Sequence, residues 1–377
     1  MRHLRNTPSG RWLKLSRSPV KLALLLLCGA LALVSSSSIS ADPGIGKPAE
    51  ICHKVAEKNL MDPKKGLLRP GPEYTDGYWL RDSFWTTACL GPEVGRRALD
   101  QFGSRLTENG QAPTRINPKG IADQYYDDES TIIYIIWAAR DGGQPRERLH
   151  RAWEWITSHV DVDTGAYWSP PGTHRTWHDT LRFPTWDVAA YNQGLYAVAA
   201  LAAVEMGVGY PEQAEKAASF YRQLYRPELG YLPVSRYLDY HDASAVVGET
   251  LARLRFGHKL LTDEMVVDTV RSLSLAEFEP LSRTAFKVLS KANGDYLDDW
   301  AFLPWSMKGR YQNGGSWLLY DTIAWTALGL AGDEAGFKLA RLRVQLETFH
   351  ETFYEYISTG PAADHDHLPV HPDYAWN

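Results

Sequence analysis

Cysteine is scarce in this chain, with three among 377 residues. That excludes a scaffold built on disulfides, and no cysteines have the spacing of a zinc site. Cys28 falls in an N-terminal apolar run, which leaves Cys52 and Cys89 as either a bridge in an oxidising compartment or two buried thiols. Long apolar runs are lacking too. Leu22–Val34, broken by Cys28 and Gly29, is shorter than the ~20 residues of an ordinary spanning helix. Strand-like alternation is rare, which argues against a β-rich fold. Positive charge is in deficit, with 40 Lys and Arg against 45 Asp and Glu, net −5. The basic residues Arg2, Arg5, Arg11, Lys14, Arg17 and Lys21 precede the apolar run with no acid among them. The rest of the chain is therefore more acidic than the total, which disfavours nucleic acid as a partner.

What is present is a globular composition, 44% hydrophobic and 23% charged, with 14 Trp and 20 Tyr. Such aromatic content suits sugar-binding platforms and large helical cores alike. The N-terminus runs basic, apolar, then small (Ser35–Ser38, Ser40, Ala41), the order of a secretory signal. The chain divides into a signal at 1–41, an irregular segment at 42–76 and one large domain at 77–377. The mature protein is expected to be exported, either secreted or periplasmic. A membrane partner enters only in the alternative of an uncleaved anchor.

Apolar runs of helical length recur between short polar, Gly- and Pro-marked loops. They are Ser83–Leu90, Ile132–Ala139, Leu149–Ile156, Val188–Val204, Ala214–Leu224, Ala245–Leu261, Met265–Leu275, Trp317–Leu330 and Phe337–Phe349. Many helices with short links predict an all-α domain of paired helices.

The candidate chemistry gathers where helices meet loops. Centrally, Thr173–Thr180 reads Thr-His-Arg-Thr-Trp-His-Asp-Thr. A carboxyl held beside the wall of Trp177 and His178 has its charged form disfavoured, so Asp179 is a candidate acid near neutral pH. The alternative is a helix cap. Earlier, Arg81 and Asp82 lie between Trp79 and Trp85, a cation, a carboxylate and flat apolar faces that suit a sugar. The plain reading is a helix start. Asp127, Asp128 and Glu129 precede a buried helix, costly unless they bind, cap or face a wet cavity. Asn192 and Gln193 interrupt an apolar helix, as ligand contacts or helix–helix bonds. Tyr311–Trp317 holds Asn313 and an Asn-Gly-Gly turn that lets backbone approach a ligand. At the end, Glu347, Glu351 and Glu355 share one face if the last helix extends that far, and aromatics enclose Glu355. His365, His367 and His371 fit no strong metal motif, and no metal site is expected.

Taken in order from Tyr78 to Trp376, these motifs resemble the α,α-toroid (six-hairpin) glycosidases, in particular the amylo-α-1,6-glucosidase domain of glycogen-debranching enzymes. Trehalases and neutral invertases are more distant relatives. Arg81-Asp82-Ser83-Phe84 resembles an early Arg-Asp-Thr-Phe, and Asp128-Glu-Ser-Thr-Ile132 a Val-Asp-Ala-Thr-Leu with Glu129 replacing Asp. Thr176-Trp-His-Asp179 is similar to Thr-Trp-Met-Asp, whose Asp is the family's general acid. Tyr311-Gln-Asn-Gly-Gly-Ser-Trp317 is similar to Tyr-His-Asn-Gly-Thr-Val-Trp, Glu355–Gly360 takes the place of the segment with the general base, and Tyr374-Ala-Trp376 resembles Gln-Ala-Trp. The expected proline after Trp317 is Leu318.

The resemblance implies an (α/α)6 barrel of six inner and six outer helices with an acidic pocket at one end. It implies an inverting, exo-acting glycoside hydrolase on an α-glucoside or related oligosaccharide. Asp179 would be the acid and Glu355 the base, with Glu351 as fallback. Trp79, Arg81, Asp82, Asp128, Glu129, Trp177, Gln193, Asn313 and Trp317 would hold the sugar, and no cofactor is needed. Two other readings stay open. A toroid epimerase or lyase would use His174, His178 and Arg175, and a carbohydrate-binding protein would bind without turnover.

Overall fold

A computed structural model describes residues 54, 56–57, 61–71, 74–277, 283–304, 306–348, 354–359 and 370–372. The signal and its cleavage point, Cys52, Glu351, His365 and His367 lie outside the described residues. Ten α-helices are present among them. They are α1 (Leu80–Thr87), α2 (Pro92–Gly103), α3 (Glu129–Asp141), α4 (Arg146–Thr157), α5 (Ala190–Glu205), α6 (Pro211–Leu224), α7 (Val247–Phe256), α8 (Asp263–Ser272), α9 (Leu318–Leu330) and α10 (Ala335–Thr348). Each apolar run became a helix. The sequence reading missed α2, a polar segment with two glycines. Its buried stripe is Gly95, Ala98, Leu99, Phe102 and Gly103, spaced at helical period, and Pro92 opens it.

The helices form an all-α barrel. Each odd-numbered helix is followed by an outer partner. The inner helices touch in the order α1, α3, α5, α7, α9. Inner members are buried on every side, as in Ile132–Ala138 of α3 and Ala197–Ala200 of α5. Outer members bury one face. Among the described residues the ring contains five pairs rather than the six implied by the resemblance. Where α5 crosses α7, Gly194 meets Gly248 backbone to backbone, and a Cβ on Gly248 would overlap the Gly194 main chain.

Short antiparallel strands shape the loops, too short to give an alternating pattern. They are β1 (Met61–Asp62), β2 (Leu67–Leu68), β3 (Tyr78–Trp79), β4 (Arg115–Ile116), β5 (Ala122–Gln124), β6 (His241–Asp242), β7 (Leu289–Ser290), β8 (Tyr354–Tyr356) and β9 (Val370–Pro372). The sheet β3–β4–β5 pairs Trp79 with Arg115 and Arg115 with Gln124, at the start of α1. Among the described residues no helix is long and apolar enough to cross a membrane. Cys89 carries a free thiol that donates to Thr86 O at 3.1 Å.

Candidate active site

The end of the β3–β4–β5 sheet, the first turn of α1 and the Thr173–Thr180 loop converge on a narrow polar cavity of about 40 Å³. At about 10–15 Å³ each, it has room for roughly three or four water molecules. Of the residues singled out in the sequence, Trp79, Arg81, Asp82 and Asp179 line it. Thr114, Tyr126, Asp127, His174 and Thr176 complete the lining. Chain geometry explains the convergence. Leu80 N–H donates to Thr114 O at 3.0 Å, tying the α1 start to the sheet, and Thr114 N–H donates to Gln124 O at 2.9 Å. Tyr126 and Asp127 follow β5 directly.

Asp179 is half-buried and doubly held. Gln312 Nε2 donates to its Oδ1 at 2.8 Å, and the Tyr311 hydroxyl donates to Oδ2 at 3.2 Å. Burial raises its carboxyl above the ordinary 3.8, against the opposing charges of Arg81 and His174 and the bonds from Tyr311 and Gln312. Gln312 itself is saturated. Nε2 also donates to Trp177 O at 2.6 Å, while Oε1 accepts Thr180 N–H at 2.9 Å and Thr180 Oγ1–H at 2.6 Å. The two non-glycine residues with left-handed backbone among the described residues are His174 (φ 60°) and Tyr311 (φ 48°), and both touch Asp179. His174 N–H donates to Asp179 O at 3.1 Å. Strained backbone held at a site by its surroundings is a mark of function.

Beneath Asp179, Arg81 Nη1 donates to Glu129 Oε1 at 2.6 Å. Burial raises the Glu129 carboxyl to about 7, against the pull of Arg81. Asp128 is also raised by burial to about 7, eased by Ser169 and Arg175. Asp127 Oδ1 accepts Ser130 N–H at 2.9 Å, so it caps α3 while facing the cavity. Three consecutive acids thus take three separate tasks.

Trp177 and Trp317 are buried behind the acid rather than exposed to a ligand. Trp177 packs against Tyr320 with ring centres 4.0 Å apart and the planes tilted by 35°, and it donates to Ser244 Oγ at 2.7 Å. Trp317 lies edge-on to Trp177 and donates to Tyr311 O at 3.3 Å. Two expected sugar contacts are corrected. Gln193 is fully buried; its Oε1 accepts Tyr167 N–H at 2.8 Å and its Nε2 donates to Gly165 O and Ala217 O at 3.0 and 2.9 Å. Asn313 Oδ1 accepts Leu297 N–H at 3.1 Å and Nδ2 donates to Leu297 O and Ser306 O. Both amides brace backbone and have no atoms left for substrate.

His178, a candidate base for a lyase, is also enclosed. Its Nδ1 lies 2.9 Å from Thr176 Oγ1, and its Nε2 lies 3.2 Å from Asp242 Oδ1. Asp242 and Ser244 were not anticipated; they anchor the Trp177–His178 turn to β6, and Ser244 Oγ donates to Asp242 Oδ1 at 2.7 Å.

Glu355 sits on β8 rather than on a helix, and α10 is described as far as Thr348. Glu355 therefore does not share a helix face with Glu347. β8 packs beside α9, and Ile357, two residues on from Glu355, pairs with Ser316 through N–H···O bonds of 2.9 Å each way. The Glu355 and His371 side chains lie outside the described residues.

No family model matches the chain, and no curated protein sequence does. Solved structures do. A wild-type glycosidase superposes with a TM-score of 0.58 at 16% identity, covering 90% of this chain and 96% of that one. A glycosidase variant in complex with glucose gives 0.59 over the same shares at 16% identity. A GH63 mannosylglycerate hydrolase from Thermus thermophilus, in complex with glucose, gives 0.57 at 11% identity, covering 87% and 97%. At such identities the likeness is one of fold. The chain has the helical-barrel fold of these proteins over nearly its whole length.

Proposed function

We propose that the protein is a glycoside hydrolase in which Asp179 is the general acid and Glu355 the general base. The observation that carries this reading is Asp179 itself. It is a carboxyl raised toward protonation, aimed by two hydrogen bonds, and open to a cavity walled by Arg81, Asp82 and Trp79. A group that must hold a proton near neutral pH and release it to a bound oxygen needs those properties. The solved structures of the same fold that are glycosidases add weight, two of them holding glucose.

In the proposed reaction Asp179 gives its proton to the glycosidic oxygen as the bond from that oxygen to the anomeric carbon breaks. Glu355 takes a proton from a water whose oxygen bonds the anomeric carbon on the opposite face. The outcome is inversion, with carboxyls set about 6.5–9.5 Å apart to admit the water. The role of Glu355 is supported by β8 pairing into the Arg310–Trp317 loop, which also holds Asp179. Arg81, paired with Glu129, and Asp82 bind ring hydroxyls. The narrowness of the cavity favours attack at a chain end, and an α-glucoside is the substrate in this reading. Export rests on the composition of residues 1–41. Buried His178, with both ring nitrogens engaged, leaves the lyase reading without that base.

Proton NMR of the first sugar released from an α-glucoside tests the mechanism. The β-anomer is expected first. Release of the α-anomer removes the water-activating role from Glu355.

A further inference from the structure

Asp179 lies on a hairpin closed by Gly172 and Phe183, whose N–H and C=O groups bond in both directions at 2.9 Å. One side of this hairpin, through His174, Thr176 and Asp179, faces the cavity. The other side, through Gly172, Thr173, Arg182 and Phe183, borders a second and larger groove of about 860 Å³. The opposite bank is Trp300, Ala301 and Leu303, with Leu238 and Tyr240 beyond. That bank is tied to the acid's own strand. Arg182 N–H donates to Ala301 O at 2.9 Å, and Leu303 N–H donates to Thr180 O at 3.0 Å. The groove therefore comes within three residues of the acid at Arg182, and its far bank is bonded to Thr180, the acid's neighbour in the chain.

We infer that this groove binds the leaving portion of the substrate, that the portion is a neutral glucan segment, and that Trp300 is its stacking platform. General-acid chemistry demands the position: the oxygen protonated by Asp179 stays with the leaving group, so that group must sit against the acid's hairpin. The groove's lining selects the chemistry. Phe183, Leu238, Tyr240, Trp300 and Leu303 present apolar faces, which suit the C–H face of a sugar ring. Its charged member, Arg182, uses Nε on Phe302 O at 3.1 Å. Trp300 is 69% exposed, so its ring face is open to a ligand in the groove. The volume is that of a pocket for a ligand larger than one ring. By contrast, the acid's cavity has room for little beyond the cleaved residue's edge.

The assignment rests on the hydrolase reading for turnover but not for binding, so the two are measured separately. Maltotetraose binding by calorimetry is expected to weaken about five- to tenfold in Trp300→Ala and to be largely retained in Trp300→Phe. The ratio of kcat/KM for maltotetraose over α-glucosyl fluoride, whose leaving group occupies no groove, is expected to fall by a similar factor. Equal losses on both substrates, unchanged maltotetraose binding in Trp300→Ala, or tighter wild-type binding of an oligogalacturonide than of maltotetraose overturns the assignment. Trp300-dependent binding without cleavage of either substrate sinks the hydrolase reading and leaves the groove standing. Cleavage of the fluoride without any maltotetraose binding does the reverse.

Discussion

The loop from Arg310 to Trp317 serves two carboxylates, one on each side. Toward the cavity, Tyr311 and Gln312 hold Asp179. Away from it, Ser316 Oγ donates to Asp321 Oδ2 at 2.7 Å, where Arg343 Nε also donates at 2.8 Å, while Phe286 N–H donates to Oδ1 at 2.9 Å. Burial raises both carboxyls, Asp321 to about 6. The resemblance ends there. Asp321 and Arg343 are sealed, each bond spent on the fold. Asp179 is half-buried and looks into a space that a ligand can enter. A raised carboxyl is thus no mark of catalysis by itself; access combined with a raised carboxyl is.

Three substitutions separate the pair, in falling order of effect. Asp179→Asn is expected to lower kcat on an α-glucoside with a poor leaving group by about 10²–10⁴-fold, with an unchanged melting curve. A drop in thermal stability with turnover per folded molecule intact would move Asp179 into the same class as Asp321. Asp321→Asn should do the opposite. Removing one partner of a buried ion pair costs about 3–5 kcal/mol. Differential scanning calorimetry should then show Tm lower by roughly 4–7 °C, with turnover per folded molecule preserved well below that Tm. Tyr311→Phe is the subtlest. The lost hydrogen bond favoured the charged form of Asp179, so its carboxyl rises further. An acid must be protonated to act, so the alkaline limb of kcat/KM against pH should move upward by about one unit, the size of a bond of ~1.4 kcal/mol. A limb that stays still, or moves down, contradicts the assignment of that limb to Asp179.

The paired helices were legible because burial on one face or all faces leaves a period in the sequence. Arg81 and Asp82 stood out between two tryptophans, and Asp179 beside Trp177 and His178. The Arg310–Trp317 loop was found, but the wrong members were chosen: Asn313 and Trp317 brace it, whereas Tyr311 and Gln312 reach the acid. The left-handed turn at Tyr311 decides which neighbour faces inward, and nothing in the side-chain pattern encodes that turn. Gln193 misled for a related reason. An amide inside an apolar helix looks the same whether it meets a sugar or caps the loose carbonyls of its neighbours. Thr114 and Tyr126 reach the cavity beside strands of two or three residues, too short for alternation to register.

The bare crossing of Gly194 on Gly248 sets a different kind of limit. Two inner helices touch there with no side chain between them, so the circumference of the ring is fixed at that point by main chain alone. A single added methyl would force these two helices apart and disturb the inner contacts on either side of them. The Asp179 hairpin and the Trp300 bank hang from the ends of the helices and are free of that constraint. Such a molecule can exchange its loops, and with them its substrates, far more readily than it can change its girth.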